Sequence, residues 1–245
     1  MAAMTTTDQS SPPLAPPSRR SYDDLPHLMT LMTGDEKHDA AATSTLDVLW
    51  VLYDQVLRVD PAAPEDPDRD RLLVSKGHGP MAYYAVLAAH GFLEEEELRS
   101  FGRLGSPLGH HPDRVLARGV EISSGSLGHG LGLGVGVALG QRLTGRDART
   151  VVLVGDAELE EGSCWEAVQQ AGREGLGRLL LVAVDNGSST PGWPGGLAAR
   201  FALEGWTTSV VDGRDHAALA AAYRAADDDP GRPHAVVARV EGSDR

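Results

Sequence analysis

The chain has very little cysteine, a shortage of positive charge and no long apolar run, and each of these absences excludes a class of protein. Its one cysteine, Cys164, rules out an internal disulfide framework and fits a reducing compartment. Lys and Arg number 22 against 35 Asp and Glu, and the resulting net charge of −13 argues against nucleic acid or an anionic membrane as a partner. No apolar segment is long enough to span a membrane, and none follows Arg19-Arg20 to form a secretory signal. These absences favour a protein of the cytoplasm.

What remains is an ordinary globular composition. The 245 residues are 41% hydrophobic, which is enough for one sizeable α/β domain with its own core. Residues 1–21 differ from the rest because they are rich in Pro, Ser and Thr and poor in large apolar side chains. We therefore predict a disordered arm over 1–21 and a single domain over 22–245.

The most informative stretch predicts a strand, a helix and a second strand. Residues 151–154 and 179–184 are short, β-branched apolar runs typical of buried parallel strands, and 163–174 reads as the crossover helix between them. Asp156 follows the first strand and Asn186 follows the second. Parallel strands deliver both side chains to the same edge of the sheet, where open α/β sheets hold their ligands. One carboxylate and one amide oxygen suit a hard cation such as Mg²⁺.

Other segments complete the predicted fold. Amphipathic or apolar periodicity indicates helices, and short apolar runs indicate further strands. The expected helices cover 43–57, 81–90, 94–101 and 215–226, and the expected additional strands lie just before Ser75 and over 207–211 and 234–240. The fold class that follows is α/β, a doubly wound, mostly parallel sheet with helices on both faces.

Two histidine-containing turns are candidates for chemistry. In the sequence DRLLVSKGH a strand leads into Gly77-His78, where glycine permits close approach of a ligand and the imidazole can bind phosphate oxygens and move protons. In LGHHPD, the adjacent His110 and His111 invite a zinc interpretation. Because the chain offers no third ligand at a fixed spacing from them, zinc is disfavoured.

Residues 119–143 form a glycine-rich segment, GVEISSGSLGHGLGLGVGVALGQRL. Each glycine costs a helix about 1 kcal/mol relative to alanine, so this many glycines require a reason such as the close approach of another backbone or a ligand. Ser126 is placed to cap the helix that follows.

Taken together, these motifs resemble the thiamine diphosphate-binding half of transketolases. The resemblance lies in GDAELEEG followed by Asn thirty positions after Asp156, in DRLLVSKGH, in LGHHPD and in SSGSLG, and it covers roughly residues 25–240. It implies that Asp156, Asn186 and the carbonyl of Ser188 ligate Mg²⁺, or Ca²⁺ or Mn²⁺ in its place, and that the metal bridges the cofactor diphosphate. The usual GDG of the family reads GDA here, so Ala157 adds a methyl group.

The resemblance also implies roles for other residues. His78 and His111 would contact cofactor and substrate, and His38 aligns with a substrate-contacting histidine, although its neighbours have changed. Arg214 replaces a histidine in the family's DGHD turn and could clamp the diphosphate. The implied cofactor-binding set is His78, Gly125, Ser126, Leu127, Gly155, Asp156, Ala157, Glu161, Asn186, Ser188 and Arg214, with Gly125, Ser126 and Leu127 packed against the aminopyrimidine ring.

Transketolases also need a pyrimidine-binding half, for which this chain has no room. The resemblance therefore implies a two-component heterotetramer with self-association, in which the pyrimidine-binding half is a separate C-terminal subunit. The assembly would transfer a two-carbon ketol (or acyl) unit from a ketose-type donor to an aldehyde acceptor. One alternative is a component of a 2-oxo acid decarboxylase or dehydrogenase. Another is a non-catalytic regulatory subunit with a decayed site, an idea kept open by Ala157, Arg214 and the surroundings of His38.

Overall fold

The computed structural model describes residues 20–32, 43–189 and 192–240. Within them lies one five-stranded sheet, in which every neighbouring pair of strands is parallel and the order is β1-β2-β3-β5-β4. The strands are β1 Arg71–Val74, β2 Thr150–Gly155, β3 Leu179–Asp185, β4 Thr207–Asp212 and β5 His234–Arg239. The helices are α1 Leu25–Leu31, α2 Leu46–Gln55, α3 Met81–Ala89, α4 Glu95–Arg99, α5 His129–Leu143, α6 Gly162–Glu174, α7 Gly196–Leu203 and α8 His216–Arg224.

The central strands form because their side chains are apolar on both faces. Every residue of β2 is buried, and β3 is buried up to Val184. A strand covered on both faces reads as a continuous apolar run rather than as an alternating one, which is why the sequence predicts these two strands so clearly. By contrast, β4 lies at an edge of the sheet and is only partly buried.

The sheet separates two apolar cores. On one face, Val151 and Leu153 of β2 pack with α1, α2, α3 and α8. On the other face, Val152 and Val154 pack with α5, α6 and α7. The predicted class, a doubly wound parallel sheet with helices on both faces, is confirmed, and so is each predicted strand.

The predicted helices are also confirmed, with ends that differ by a few residues. The helix expected over 43–57 forms over Leu46–Gln55, and that expected over 94–101 is shorter, Glu95–Arg99. The predicted disordered arm and His38 lie outside the described residues, apart from the arm's last two positions. Among the helices described, none is long and apolar enough to cross a membrane.

Candidate functional site

The sequence motifs meet at the carboxyl edge of the sheet. Because all strands are parallel, the residues after β1, β2 and β3 emerge on the same side. These residues begin with Ser75, Asp156 and Asn186, respectively. Adjacent strands lie less than about 5 Å apart, so the turns that follow them are close neighbours.

Asp156 lies at the centre of this edge and is 1% exposed. Its carboxylate accepts hydrogen bonds from the hydroxyl of Ser188 and from the backbone N–H of Ser189, the latter at 2.9 Å. Its own backbone N–H donates to the carbonyl of Val184 in β3, 3.1 Å away. The carboxylate is therefore fixed against the turn that follows β3, as the sequence predicts from parallel strands.

That turn carries Asn186 and Ser188. Asn186 Oδ1 accepts a hydrogen bond from the Ser188 N–H at 3.3 Å, and Gly187 between them has φ +71°. Such a φ strongly favours glycine, because a Cβ would clash with the backbone. The turn thus holds the amide oxygen of Asn186 on the side where the Asp156 carboxylate lies.

A second carboxyl group, Asp185, lies beside this pair and was not singled out from the sequence. It is the last residue of β3 and accepts a hydrogen bond from the Gly187 N–H at 3.4 Å. Burial, together with the negative charge of Asp156, raises the pKa of Asp185 above its usual range. Its position directly before the predicted Asn is the sequence signal that could have identified it.

Three glycine turns pack against one another and against the His111 ring. A Cβ on Gly77 would lie 2.7 Å from the backbone N of Gly125 and 3.1 Å from Cδ2 of His111. A Cβ on Gly125, which has φ +127°, would lie 3.0 Å from the same ring carbon. Both glycines are therefore required, and the SKGH, HHPD and SGSLG segments form one surface, with the His78 and His111 side chains exposed.

Ser75 and Glu158 join these turns from below, and sequence reasoning missed both. The Ser75 hydroxyl donates to Glu158 Oε1 and accepts from the N–H of Gly130 at 3.0 Å. Glu158 Oε1 also accepts from the N–H of Gly128 at 3.0 Å, and the side chain is 2% exposed. Burial raises the pKa of Glu158 despite these donors. One buried carboxyl group thus connects the turn after β1, the start of α5 and the turn after β2.

Ala157, which replaces a glycine of the family motif, begins a short 3₁₀ turn, Ala157–Glu160. Among the described residues, positive φ values occur only at glycine, so the alanine is not strained. Glu161 is exposed and precedes α6, and its Cβ would be 2.8 Å from a Cβ on Gly128. Gly155, the last residue of β2, is covered by the aliphatic part of the Lys76 side chain.

The start of α5 differs from the prediction. Gly128, with φ +83°, is the N-cap residue and Ser126 makes no capping hydrogen bond, so the predicted role of Ser126 as a cap is wrong. The Glu158 carboxylate takes the place of the cap by accepting from the Gly128 N–H. Ser126 and Leu127 are instead exposed at the edge of the sheet, and Leu127 is 49% exposed.

Lys76 and His110 have contacts that explain them structurally. Lys76 Nζ donates to the carbonyl of His78 at 3.2 Å and so braces the turn. The His110 ring packs edge-on against Phe101, with ring centroids 5.2 Å apart. In the part of the chain that the structure describes, no three His, Cys, Asp or Glu side chains are grouped to hold a metal.

Arg214 lies in the turn after β4, where its guanidinium is bound to Asp47. Its NH1 donates to the Asp47 carboxylate at 2.7 Å and to the carbonyl of Thr43 at 3.1 Å. Asp47, at the start of α2, also accepts from Tyr22 at 2.6 Å and from His216 at 2.8 Å. Arg214 thus anchors α2 to the turn before α8 in this structure.

The oxygen groups at the edge suit a hard cation carrying phosphate ligands. Asp156 supplies one carboxylate, and Asn186 and the backbone at Ser188 supply neutral oxygens. Mg²⁺ binds through one or two carboxylates together with phosphate oxygens, so this set fits a metal bridged to a diphosphate better than an isolated ion. The glycines at 77 and 125 leave backbone accessible next to it, as close approach of a cofactor requires.

Comparison with known proteins gives the same family. Residues 30–241 match the model of the transketolase thiamine diphosphate-binding domain. One of the subunits of the apulose-4-phosphate transketolase of Phocaeicola vulgatus is 32% identical over 209 residues, covering 83% of this chain and 74% of that protein. The structure of transketolase from Leishmania mexicana superimposes with a TM-score of 0.74 at 25% identity, covering 89% of this chain and 36% of that one. The chain thus spans about a third of the single-chain transketolases that it matches.

A further relative has a different name. The protein named ferredoxin fas2, from Rhodococcoides fascians, is 54% identical over 225 residues, covering 91% of this chain and 73% of its own length. An iron–sulfur cluster is held by several cysteine thiolates, and this chain has one cysteine, which is buried. The residues of this chain therefore cannot hold such a cluster, and the similarity rests on the fold and motifs described above. The chain belongs to the transketolase family, as a thiamine diphosphate-binding domain.

Proposed function

We propose that this chain is the diphosphate- and metal-binding component of a two-component, thiamine diphosphate-dependent transketolase. The enzyme would transfer a two-carbon ketol unit from a ketose-type donor to an aldehyde acceptor. The observation that supports this most directly is the meeting of the SKGH, HHPD and SGSLG turns beside Asp156 and Asn186 at one edge of the sheet.

Each residue of this edge has a proposed role that its position allows. Asp156, Asn186 and the Ser188 carbonyl would hold Mg²⁺, with the diphosphate completing its coordination. The backbone of Gly125, Ser126 and Leu127 would contact the aminopyrimidine ring, and Gly155, Ala157 and Glu161 would line the metal turn. When bound, thiamine diphosphate supplies the carbanion chemistry that breaks and forms the bond next to a carbonyl.

The exposed histidines would act on the substrate. His78 and His111 stand on the surface formed by the glycine turns, where an imidazole can donate a hydrogen bond to a hydroxyl or carbonyl oxygen and accept a proton near neutral pH. His38, which lies outside the described residues, is proposed as a third such group. For Arg214 the structure suggests an anchoring role at Asp47 instead of a contact with the diphosphate.

The requirement for a partner is supported by chain length and by an exposed helix face. The related component of the apulose-4-phosphate enzyme has a similar extent, whereas single-chain transketolases are about three times as long. On α5, Gly132, Gly136 and Gly140 have no atom within 4 Å of a built Cβ, and the adjacent Leu133 is 51% exposed. We propose that this face contacts the pyrimidine-binding subunit.

The experiment that tests the proposal is calorimetric titration with thiamine diphosphate and Mg²⁺, on the chain alone and mixed with the complementary subunit. Binding should require the metal, should be strengthened by the partner and should disappear in Asp156→Ala. Asp113→Ala is a suitable control, because this carboxylate caps a surface turn by accepting from Val115 N at 2.7 Å and lies outside the metal turn. If wild type binds no cofactor in either sample, the regulatory alternative with a decayed site takes precedence.

Substrate profiling separates the two enzymatic alternatives. A transketolase would form a new ketose from a ketose donor and an aldehyde, whereas a 2-oxo acid decarboxylase component would release CO₂ from a 2-oxo acid. CO₂ release as the only activity of the assembled enzyme would contradict the proposed reaction.

A further inference from the structure

A cavity of about 340 Å³ lies away from the carboxyl edge of the sheet. Its walls are the first half of β1, the last turns of α5 and the segment around 114–122. The candidate active site is built instead from residues that follow the strands. The two sites therefore share no residue, although β1 contributes to both.

Three arginines line this cavity, namely Arg71, Arg114 and Arg146. The one carboxylate that lines it, Glu121, is already bound by two guanidinium groups, those of Arg71 at 3.4 Å and Arg69. Positive charge is therefore in excess here, although the whole chain carries a net charge of −13.

The most available of the three is Arg114. Arg146 forms an ion pair with Asp68, and Arg71 is shared with Glu121. The guanidinium of Arg114, in contrast, has no ion pair or hydrogen bond with any residue that the structure describes, and only its backbone N–H is bonded, to Ser123 at 3.0 Å. An unpaired guanidinium beside a cavity presents the planar fork that matches carboxylate and phosphate oxygens.

A buried amide provides a second, independent observation. Gln141 lines the cavity and is 7% exposed. Its Oε1 accepts from the Thr150 hydroxyl at 2.7 Å, but its Nε2 has no partner among the described residues. Buried amide groups in native proteins are normally hydrogen-bonded, so a donor left open beside a cavity indicates a missing acceptor.

From this combination we propose that the cavity binds a small organic anion bearing a phosphate or carboxylate group. Arg114 and Arg146 would bind the anionic oxygens, and Gln141 Nε2 would donate one further hydrogen bond. Leu73, Ile122 and Val137 form apolar walls that suit a short carbon skeleton. The cavity is larger than a bare phosphate ion requires, which favours an organic anion of about three to six carbon atoms.

The test is calorimetric titration of the full chain with 3-phosphoglycerate, glycerol 3-phosphate and citrate, in metal-free buffer containing EDTA. At least one of the three should bind saturably, and its affinity should fall as salt is raised because the contact is between charges. Arg114→Ala and Gln141→Leu should each weaken that binding, by at least about tenfold for the arginine. Circular dichroism verifies that both variants are folded.

Two further variants locate the anion. Arg224→Ala removes an exposed arginine on α8 and should leave the affinity unchanged. Asp156→Ala should also leave it unchanged, because the proposed metal turn is elsewhere. Absence of saturable binding for all three anions, unchanged binding in folded Arg114→Ala, or an affinity altered in Asp156→Ala would each overturn the assignment.

Discussion

At the scale of single residues, Glu158 is the group on which the candidate site most depends. Three segments of the site donate hydrogen bonds to it or to its partner Ser75, yet its second oxygen, Oε2, is buried without a partner among the described residues. A buried carboxylate without full hydrogen bonding is costly, and burial is accordingly the main reason that its pKa is raised. Glu158 therefore holds the turns together at the expense of stability when it is ionised.

A pH dependence of stability follows from this shift. The folded chain holds a proton on Glu158 at pH values where the unfolded chain has lost it, so the contribution of Glu158 to stability falls as pH rises from its ordinary value near 4.5 to the raised folded value. Glu158→Gln removes this titration but keeps an acceptor for the Gly128 N–H. The free energy of unfolding of the variant minus that of wild type should therefore increase with pH between about 4.5 and about 7.5. Urea unfolding at several pH values measures this difference, and parallel curves would contradict it.

Asp47 is the opposite case, a buried carboxylate with more donors than its burial requires. Burial would raise its pKa, but hydrogen bonds from Tyr22, Arg214 and His216 outweigh burial and hold the pKa below the usual range. A depressed carboxyl pKa contributes stability above the unfolded pKa and loses it as pH falls through the folded pKa.

Asp47→Asn should consequently destabilise the fold at neutral pH by about 2–3 kcal/mol, less than for a fully buried ion pair because Arg214 is partly exposed. The deficit should shrink towards about pH 3, where wild type itself becomes protonated. Asp54→Asn, a similar change near the other end of the same helix, serves as a control for general effects on α2. A deficit that stays constant between neutral and acidic pH would show that the charge of Asp47 is not what stabilises α2.

Residues of this kind explain the limit of sequence reasoning at the residue scale. Asp156 and Asn186 could be predicted because each follows a recognisable strand. Glu158 lies in the run ELEE, where nothing distinguishes it from Glu160 and Glu161, both of which are exposed. Its burial is decided by Ser75, 83 positions earlier in the chain. The sequence carries no local signal of that contact.

At the scale of elements, the glycines of α5 divide into two sets on two sides of the helix. A Cβ on Gly130 would lie 2.2 Å from Ser75 Cβ, and one on Gly134 would lie 2.3 Å from Val152 Cγ2. These glycines let the helix pack closely on the sheet. Gly132, Gly136 and Gly140 meet nothing within 4 Å and are largely exposed. The sequence predicts that the glycines need a close neighbour, but only the structure shows which of them have one within this chain.

Paired substitutions distinguish the two sets. Gly134→Ala should destabilise the isolated chain by about 1–3 kcal/mol, because the new methyl group overlaps a β-branched side chain held in the sheet. Gly132→Ala should stabilise it by up to about 1 kcal/mol, since alanine is the better helix former and no atom opposes it. Thermal or urea unfolding of the two variants in parallel provides the measurement. Equal effects of the two changes would contradict this division of the glycines.

The elements themselves could largely be predicted, for a physical reason. Strands β2 and β3 are apolar on both faces and short, and helices such as α6 keep a clear period of apolar residues, so local sequence determines both. The start of α5 could not be predicted in the same way. A serine in a suitable position indicates a cap, but the glycine at 128 adopts φ +83° and the distant Glu158 accepts its N–H instead. The tertiary contact overrides the local preference.

At the scale of the whole molecule, the parallel sheet is what makes a site from separate motifs. Residues 77, 111, 125, 156 and 186 are far apart in the chain and meet because three neighbouring strands end at the same edge. The adjacency of β2 and β3 follows from the single crossover helix between them. The position of β5 between β3 and β4 does not follow from any local pattern and is known only from the structure. The same topology leaves one face of α5 exposed at the side of the site.

The last prediction concerns that face and rests on the proposed function. Leu133 is 51% exposed beside the exposed glycines of α5, whereas Leu203 is 85% exposed on α7, outside the proposed contact. Both side chains are already in water, so Leu133→Glu and Leu203→Glu should leave the stability of the isolated chain within about 0.5 kcal/mol of wild type. In the assembly, Leu133→Glu would bury a charge at the interface. Its association with the pyrimidine-binding subunit should weaken by about tenfold or more, as measured by sedimentation velocity. Leu203→Glu should associate normally. If both variants associate like wild type, the exposed face of α5 is not where the partner binds, even if cofactor binding by the assembled enzyme is intact.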